Sequence, residues 1–272
     1  MPHRIPSCAE DFYEEWSNKT SEEINYDIAA AIRKAKVITS SLPSNLTINI
    51  SSLLDFGCGY GAFVKNFQDH LKIPKAIGVD FSSSAIDVAN QKFASDSLVF
   101  HRLCTLDLSK NSEFLRTIIS ERVDCILLID LLEHVPNCIE LIASLSKFTK
   151  FFIIKLPVES TIFDNYILTK EYPGSFHSNG HMREFNANNV HYFVRQLGLT
   201  PIFESLYIYD LQDIFPPPSN VLSLRQKMIR FFLINFKRLM IASLPRKIFL
   251  RLIGGGGYFC LATYNEQNTL NP

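Results

Sequence analysis

The chain has 272 residues, of which 47% are hydrophobic, and it carries 27 basic and 27 acidic side chains. This length and apolar fraction predict one large α/β domain with a sizeable core, and they argue against a disordered chain. The formal net charge of zero argues against a general nucleic-acid-binding protein.

Three features bear on where the protein works. Met1 to Glu10 has no apolar run typical of a signal peptide, and the chain has no stretch of about 18 apolar residues that would span a bilayer. The six cysteines form no C-x-x-C pair, which predicts reduced, buried residues of a cytoplasmic protein. Residues 225–272 carry eight basic side chains and one acid, Glu266, so this part is strongly basic.

Residues 9–40 are predicted to form one or two helices. Apolar side chains from Phe12 to Ile38 recur near helical spacing, and Ser21, with two glutamates after it, indicates a helix start. This segment either packs on the sheet as a layer or covers a ligand cleft, and the pattern leaves both arrangements open.

Strand and helix patterns then alternate up to residue 156. The strand candidates are 51–56, 75–80, 98–103, 123–129 and 149–156, and the helix candidates are 61–71, 83–94, 111–121 and 137–147. Because the strands are almost continuously apolar, we predict a parallel sheet with helices on both faces. Such a sheet binds its ligand beyond the carboxyl ends of the strands.

The sequence pattern after residue 156 predicts a different kind of strand pairing at one edge of the sheet. Residues 157–185 are loop-like, Asn186 is the predicted cap of a helix through Leu197, and Gly198 ends it. Residues 200–209 and 257–264 are predicted strands that form an antiparallel pair, although about forty residues separate them.

A glycine-rich turn follows the first strand. Gly57, Gly59 and Gly61 allow a left-handed backbone and a close ligand, and the helix beyond them favours a nucleotide-like group. The glycines alone fit a dinucleotide as well as other ligands. Asp55, two residues before the first glycine, would repel a pyrophosphate and attract an ammonium group.

Three segments carry a resemblance to a known family. Residues 54–61 (Leu-Asp-Phe-Gly-Cys-Gly-Tyr-Gly) resemble the first motif of class I SAM-dependent methyltransferases. Residues 129–136 contain Glu-His-Val and resemble the block that closes the fourth strand in methyltransferases of the ubiquinone-biosynthesis type. Residues 180–186 resemble the H-x-R-x-F segment of related small-molecule methyltransferases. The resemblance implies a Rossmann-like, seven-stranded, mostly parallel sheet with an antiparallel C-terminal pair, and S-adenosylmethionine (SAM) as cofactor.

The predicted cofactor-binding residues follow from these motifs. They are Asp55, Gly57, Cys58, Gly59, Gly61, Asp80, Phe81, Leu106, Asp107, Asp130 and Leu131. We expect Asp80 to accept the ribose hydroxyls, although it also stands where it would start the next helix. The resemblance assigns Asp107 and the backbone of Leu106 to adenine, with a helix-capping aspartate as the alternative. Asp130 and Leu131 are expected to border the site of methyl transfer.

Three residues are candidates for catalysis. His181 and His134 are possible bases, and packing or positioning of the loop is the alternative for each. Arg183 is a possible binder of an acidic group on the substrate, with surface pairing near Glu184 as the alternative. We predict no required metal, because no histidine, cysteine and acid grouping shows metal-ligand spacing in the sequence.

A basic, apolar insert separates the last two predicted strands. We divide the chain into a helical cover (1–45), a SAM-binding core (46–212), this insert (213–256) and the final strand (257–265). A helix from about 220 to 243 and a second turn after Pro245 are predicted. The insert is a substrate-side lid, a helix on an anionic membrane that uses residues 220–251, or a dimer surface.

The sequence therefore predicts a SAM-dependent methyltransferase that acts on a small molecule. A hydroxyl oxygen of a sugar, a lipid-linked glycan or a quinone-like compound is the expected target, and no nucleic-acid partner is expected. The alternatives are a nicotinamide-dependent oxidoreductase and a SAM-binding protein without catalysis. We expect a cytoplasmic location, with peripheral attachment to a membrane as an option.

Overall fold

A computed structural model describes residues 19–43, 50–103, 108–119, 121–159, 161, 181–214 and 223–265. Its strands are β1 (Ser52–Phe56), β2 (Lys75–Asp80), β3 (Leu98–Arg102), β4 (Val123–Ile129), β5 (Thr149–Val158), β6 (Leu199–Ile208) and β7 (Gly256–Tyr264). Its helices are α1 (Ser21–Ser41), α2 (Ala62–Leu71), α3 (Ser83–Phe93), α4 (Leu108–Ile118), α5 (Cys138–Leu145), α6 (Val190–Gln196), α7 (Leu211–Ile214), α8 (Leu224–Ser243) and α9 (Arg246–Leu252).

The strands of the described residues form one sheet in the order β3-β2-β1-β4-β5-β7-β6. The first five are parallel to one another, and β7 runs antiparallel between β5 and β6. This arrangement confirms the predicted seven-stranded sheet with an antiparallel C-terminal pair.

The central strands are apolar on both faces because both faces are covered. Successive residues of β1 enter opposite cores, with Leu53 in one cluster and Leu54 in the other. The same alternation divides Leu127 from Leu128 in β4. This period of two is the geometry of a strand, and the near-continuous apolar run follows from burial on both sides.

Several predicted boundaries differ from the structure, and β5, α4 and the start of α6 are three examples. Strand β5 runs two residues beyond the predicted end, because Pro157 and Val158 pair with the start of β7. Helix α4 begins and ends three residues earlier than predicted. Residue Asn186 is not the cap of α6: its side chain accepts the backbone N–H of Asn188 and Asn189, so a turn precedes the helix and Asn189 occupies the cap position.

Other boundaries agree with the sequence. Helix α1 begins at Ser21, and its cap is Thr20, whose hydroxyl and the Glu23 side chain form a reciprocal capping box. Gly198 has a φ of 78° directly after α6 and ends it as predicted. The cysteines Cys58, Cys125, Cys138 and Cys260 are buried free thiols.

The insert leaves the sheet at the edge where ligands bind in such folds. Gly256, where β7 begins, pairs with Val158 and Ile208 at the ends of β5 and β6. The insert therefore leaves and rejoins the sheet beside the carboxyl end of β5. None of the helices in the described residues is both long enough and apolar enough to cross a membrane.

Several predictions lie outside the described residues. They concern the helical pattern from 9 to 18, Cys8, Cys104, Leu106, Asp107 and most of the 157–185 loop.

Candidate active site

A cavity of about 690 Å³ opens at the carboxyl ends of the parallel strands. Its lining comes from the turn after β1, the end of β2, the residues after β4 and one side of α1. These are the positions at which the sequence predicted a ligand. The lining includes Asp55, Cys58, Gly59, Asp80, Phe81, Asp130, Leu131 and His134.

The glycine turn is held against β2 by its own backbone. The N–H groups of Gly57 and Cys58 both donate to the carbonyl oxygen of Val79, at 2.8 and 3.0 Å. Gly61 has a φ of 76°, and a Cβ there would lie 2.6 Å from the Phe100 ring, so a side chain does not fit. A Cβ at Gly59 would meet nothing within 4 Å, and Gly59 lines the cavity, so its backbone borders the open space of the cavity.

Asp80 connects the glycine turn to the start of α3. One carboxylate oxygen accepts the Gly59 N–H at 2.7 Å, and the other accepts the Ser82 N–H at 2.9 Å. Ser82 in turn caps α3 by accepting the N–H of Ala85. Burial raises the pKa of Asp80, and the N–H groups of Ser82 and Gly59 oppose that rise. Each carboxylate oxygen retains a second lone pair for a ligand, so helix start and ligand binding are compatible.

Asp55 is the most isolated acid of the lining. It is 1% exposed, and its Oδ1 has no hydrogen-bond partner among the described residues. Burial and, less strongly, the charge of Asp80 raise the pKa of Asp55 to about 8. A buried acceptor without a partner destabilises the protein, so this site fits a ligand that brings a positive charge or a donor.

Asp130 forms a partly buried ion-pair cluster at the end of β4. It has a left-handed backbone with a φ of 51°, and its carboxylate contacts the ammonium groups of Lys155 and of Lys34, the latter at 2.7 Å. Lys155 also donates to the Tyr209 hydroxyl at 2.8 Å. Burial alone would raise the pKa of Asp130, but the two ammonium groups hold it well below its usual value. Asp130 is therefore ionised, and its ion pairs hold this part of the cavity wall in place.

Sequence reasoning missed Lys155. Its side chain is 1% exposed, and it is the only charged residue in the apolar run from Phe151 to Val158. That isolation was an available signal, because a lysine in a doubly covered strand needs a partner. The partner itself follows only from the pairing of β5 with β4.

Helix α1 lies over the cavity and also packs on the sheet. Ala35 and Ile38 enter the core beside α2, whereas Ile28, Ala31 and Lys34 line the cavity. Two contacts join α1 to α7: an ion pair between Arg33 and Asp213, and a 3.1 Å hydrogen bond from the Tyr26 hydroxyl to the carbonyl of Gln212. Both arrangements left open by the sequence are thus present in one helix.

A second polar cluster lies behind the Asp130 wall. The rings of His134 and His181 are 4.8 Å apart and close to perpendicular, and Nδ1 of His181 is 2.8 Å from Oε2 of Glu159. Burial lowers the pKa of His181, but Glu159 outweighs this effect and the net shift is upward. Glu133 is fully buried in the same cluster and was not among the predicted site residues.

Arg183 has backbone partners. Its guanidinium donates to the carbonyl oxygens of Leu132, Val135 and Pro136, and it lies over the Phe193 ring. Among the residues that the structure describes, the cavity lining includes His134 but neither His181 nor Arg183. Arg183 thus holds the loop after β4 in place, and its catalytic role stays a prediction.

Comparisons with known proteins agree with this architecture. A family profile described as a methyltransferase domain matches residues 14–203. A search of curated protein sequences finds no match.

Three solved structures are similar across nearly the whole chain. A SAM-dependent methyltransferase from Anabaena variabilis has a TM-score of 0.59 and 14% identity, covering 96% of each chain. Magnesium protoporphyrin IX methyltransferase from Synechocystis, with bound S-adenosylhomocysteine, has a TM-score of 0.55 and 11% identity, covering 94% of this chain and 100% of its own. A plantazolicin methyltransferase has a TM-score of 0.53 and 12% identity, covering 95% of this chain and 97% of its own.

The structural matches show the same fold, and the profile covers more than half of the chain. The Asp55 acceptor and the open backbone at Gly59 fit a cofactor with an ammonium group and a nucleoside. The chain therefore belongs to the methyltransferase domain family and is a class I SAM-dependent methyltransferase.

Proposed function

We propose that this methyltransferase transfers the methyl group of SAM to a hydroxyl oxygen of a small-molecule acceptor. The observation that carries the proposal is the composition of the cavity. Asp55 offers one carboxylate oxygen that has no hydrogen-bond partner among the described residues, and His134 lines the same cavity together with Asp130 and Leu131. A cofactor end and an acceptor end thus share one space.

The chain's own residues bind the cofactor and orient it. Asp55 would hold the ammonium group, Asp80 would accept the ribose hydroxyls, and Gly59 would let the backbone approach the cofactor. Asp107 and Leu106 remain the predicted adenine contacts. SAM supplies an electrophilic methyl group on a sulfonium, so alignment and the exclusion of water account for most of the protein's task.

The small-molecule class rests on two supports. Two of the similar structures are methyltransferases named for magnesium protoporphyrin IX and for plantazolicin. The zero net charge of the whole chain gives nucleic acid no general attraction. A sugar, a lipid-linked glycan and a quinone-like ring all present a hydroxyl of the required kind.

Labelled-methyl transfer tests the proposal. Purified protein, SAM carrying a labelled methyl group and a fractionated extract should give label in a small-molecule fraction, with no label in protein or nucleic acid. Label only in a macromolecule would overturn the acceptor class. SAM binding without transfer to any fraction would favour a non-catalytic SAM-binding protein. The family assignment already decides against the nicotinamide-dependent alternative.

Replacing Asp55 with asparagine should lower the affinity for the cofactor and raise the stability of the cofactor-free protein. Without an ammonium partner, we expect SAM affinity to fall about 10- to 100-fold, the effect of one charge-assisted bond. The raised pKa means that the folded cofactor-free protein binds a proton that the unfolded chain releases above its ordinary pKa of 3.8. The free energy of unfolding of wild type should therefore fall as the pH rises from about 4 to 8, and the variant should lack this fall.

Calorimetry and urea unfolding at pH 5.5 and 8.5 measure both effects. The variant should be more stable than wild type at pH 8.5, by about 1–3 kcal/mol, with a smaller difference at pH 5.5. Asp87→Asn, which changes an exposed acid on α3, is the control. If the free energy of unfolding depends on pH equally in wild type and in Asp55→Asn, Asp55 does not have the raised pKa of an isolated buried acid.

We propose peripheral attachment to an anionic membrane through α8, in keeping with a lipid-linked acceptor. No side chain of α8 is buried, and Phe231 and Phe232 are 72% and 67% exposed. The residues from 223 to 255 include eight basic side chains and no acid. Basic and bulky apolar residues on one helix fit an interfacial mode of binding. None of the described insert residues lines the cavity, so the lid alternative gains no support.

Vesicle sedimentation tests the attachment. Wild type should bind phosphatidylserine-containing vesicles at low salt and release at high salt, and Phe231→Ser should bind about tenfold more weakly, the effect of one buried aromatic ring. Tyr192→Ser removes an exposed aromatic residue from α6 and should bind as wild type does. Equal binding of neutral and anionic vesicles would remove the requirement for anionic lipid, and no binding to either would remove the membrane proposal and favour a dimer surface.

A further inference from the structure

Three potential metal ligands meet behind the acceptor end of the cavity. Ligand atoms of Glu133, His134 and His181 all lie within 4.8 Å of one another. His134 lines the cavity, whereas Glu133 is 0% exposed and His181 is 9% exposed. The cluster therefore faces the cavity through His134, and its other two side chains are buried.

Glu133 supplies an observation independent of this proximity. Neither of its carboxylate oxygens has a hydrogen-bond partner among the described residues. An ionised carboxylate that is fully buried without a partner is strongly destabilising. Such a group fits a site that is completed by a cation.

His181 has the orientation typical of a ligating histidine. Its Nδ1 is 2.8 Å from Oε2 of Glu159, so Nδ1–H donates to the carboxylate and the lone pair of the ring is on Nε2. A carboxylate behind a histidine fixes the tautomer and the ring direction in metal sites. The neighbouring ring of His134 is close to perpendicular to it.

Backbone contacts hold the two segments of the cluster together. The N–H of Met182 donates to the carbonyl oxygen of Glu133 at 2.8 Å, and Arg183 donates to the carbonyls of Leu132 and Val135. The segment after β4 and the segment around His181 thus form one unit. This gives Arg183 a positioning role for the cluster.

We propose that Glu133, His134 and His181 bind one divalent transition-metal ion. Two imidazoles and one carboxylate suit Zn²⁺, Mn²⁺, Fe²⁺ or Co²⁺, whereas Mg²⁺ and Ca²⁺ prefer oxygen ligands alone. Bonds of about 2.0–2.2 Å require the side chains to close on the ion by roughly 1 Å. The proposal reverses the expectation of no required metal, which rested on spacing along the sequence.

The ion's role in catalysis rests on the proposed methyl transfer. An acceptor hydroxyl that takes the open position beside His134 would lose its proton to water more readily, because a bound divalent ion lowers the pKa of a coordinated oxygen. The oxygen lone pair then forms the bond to the methyl carbon, and the electrons of the broken carbon–sulfur bond stay on sulfur. No oxidant or reductant is needed.

Titration with Co²⁺ tests the site without any need for activity. The full-length protein, stripped with a chelator, should bind a single equivalent of Co²⁺ and show visible absorption bands that Zn²⁺ abolishes. Glu133→Gln should lose at least about 100-fold in affinity, and Glu159→Gln about 10- to 100-fold, as for other outer carboxylates. His70→Ala, which removes an exposed histidine on α2, should bind Co²⁺ as wild type does.

SAM calorimetry on the same samples separates misfolding from metal loss. A Glu133→Gln protein that binds SAM normally and binds no Co²⁺ supports the site. Absence of saturable Co²⁺ binding in wild type, or unchanged binding in Glu133→Gln, would overturn it even if methyl transfer is found. If the ion binds but chelation leaves methyl transfer unchanged, the catalytic role is wrong.

Discussion

Replacing Asp80 with alanine should weaken SAM binding by about 10²- to 10⁴-fold. The carboxylate already holds the Gly59 N–H at 2.7 Å, which places it beside the open backbone of the glycine turn. Two charge-assisted bonds to ribose hydroxyls contribute about 1.5–3 kcal/mol each, and about 1.4 kcal/mol corresponds to tenfold in affinity. Calorimetric titration with SAM and with S-adenosylhomocysteine should show similar losses, because both share the ribose.

The conservative replacement separates binding from folding. Asp80→Ala also removes the acceptor for the N–H of Ser82, so its melting temperature must be measured beside its affinity. Asp80→Asn keeps an acceptor for one of the two N–H groups and should bind with intermediate affinity. Asp87→Ala alters an exposed acid on the helix that follows and should bind as wild type does. An unchanged affinity in a folded Asp80→Ala protein would remove Asp80 from the cofactor site.

The sheet could be predicted because its physical cause is local. The central strands are apolar at most positions, as between Cys125 and Leu128, since both faces are buried. Turns and stops such as Gly61 and Gly198 show in the sequence because only glycine adopts their backbone without strain. The insert did not hide the last strand pair, because β7 keeps its own apolar pattern.

The polar clusters could not be predicted in the same way. Lys155 meets Asp130, and His181 meets Glu159, only because neighbouring elements place them side by side, more than 20 positions apart in the chain. No periodicity encodes such a pair. The start of α6 was predicted too early for a different reason: the Asn186 side chain forms a local turn with Asn188 and Asn189, and the helix begins after that turn.

Replacing Lys155 with methionine should lower the free energy of unfolding by about 1.5–3 kcal/mol, the usual range for a lost hydrogen bond to a charged group, because Asp130 is 26% exposed and keeps a second ammonium partner. Methionine keeps the apolar stem, so the main loss is the charge at the centre of the cluster. Asp130 would keep Lys34, which is 27% exposed, as its ion-pair partner, and Tyr209 would lose its donor. Urea unfolding of wild type and variant measures the difference.

A double-mutant cycle distinguishes charge from packing. Asp130→Asn suits the left-handed backbone at this position, where asparagine is tolerated. If the loss comes from the charge of Asp130 without its buried partner, the double variant Lys155→Met, Asp130→Asn should recover at least half of it. A double variant as unstable as Lys155→Met alone would assign the loss to packing in β5.

The pH dependence gives a second, independent check on the ion pair. The pKa of Asp130 is held below its usual value and that of Lys155 above its own, despite the opposing effect of burial on each. The pair's stabilisation is therefore complete above the unfolded pKa of the acid and below that of the lysine. The difference in free energy of unfolding between wild type and Lys155→Met should be constant between about pH 5 and 9 and should shrink only in stronger acid or base. A difference that changes steeply near neutral pH would mean that another group, such as Glu133, accounts for the stability assigned to this pair.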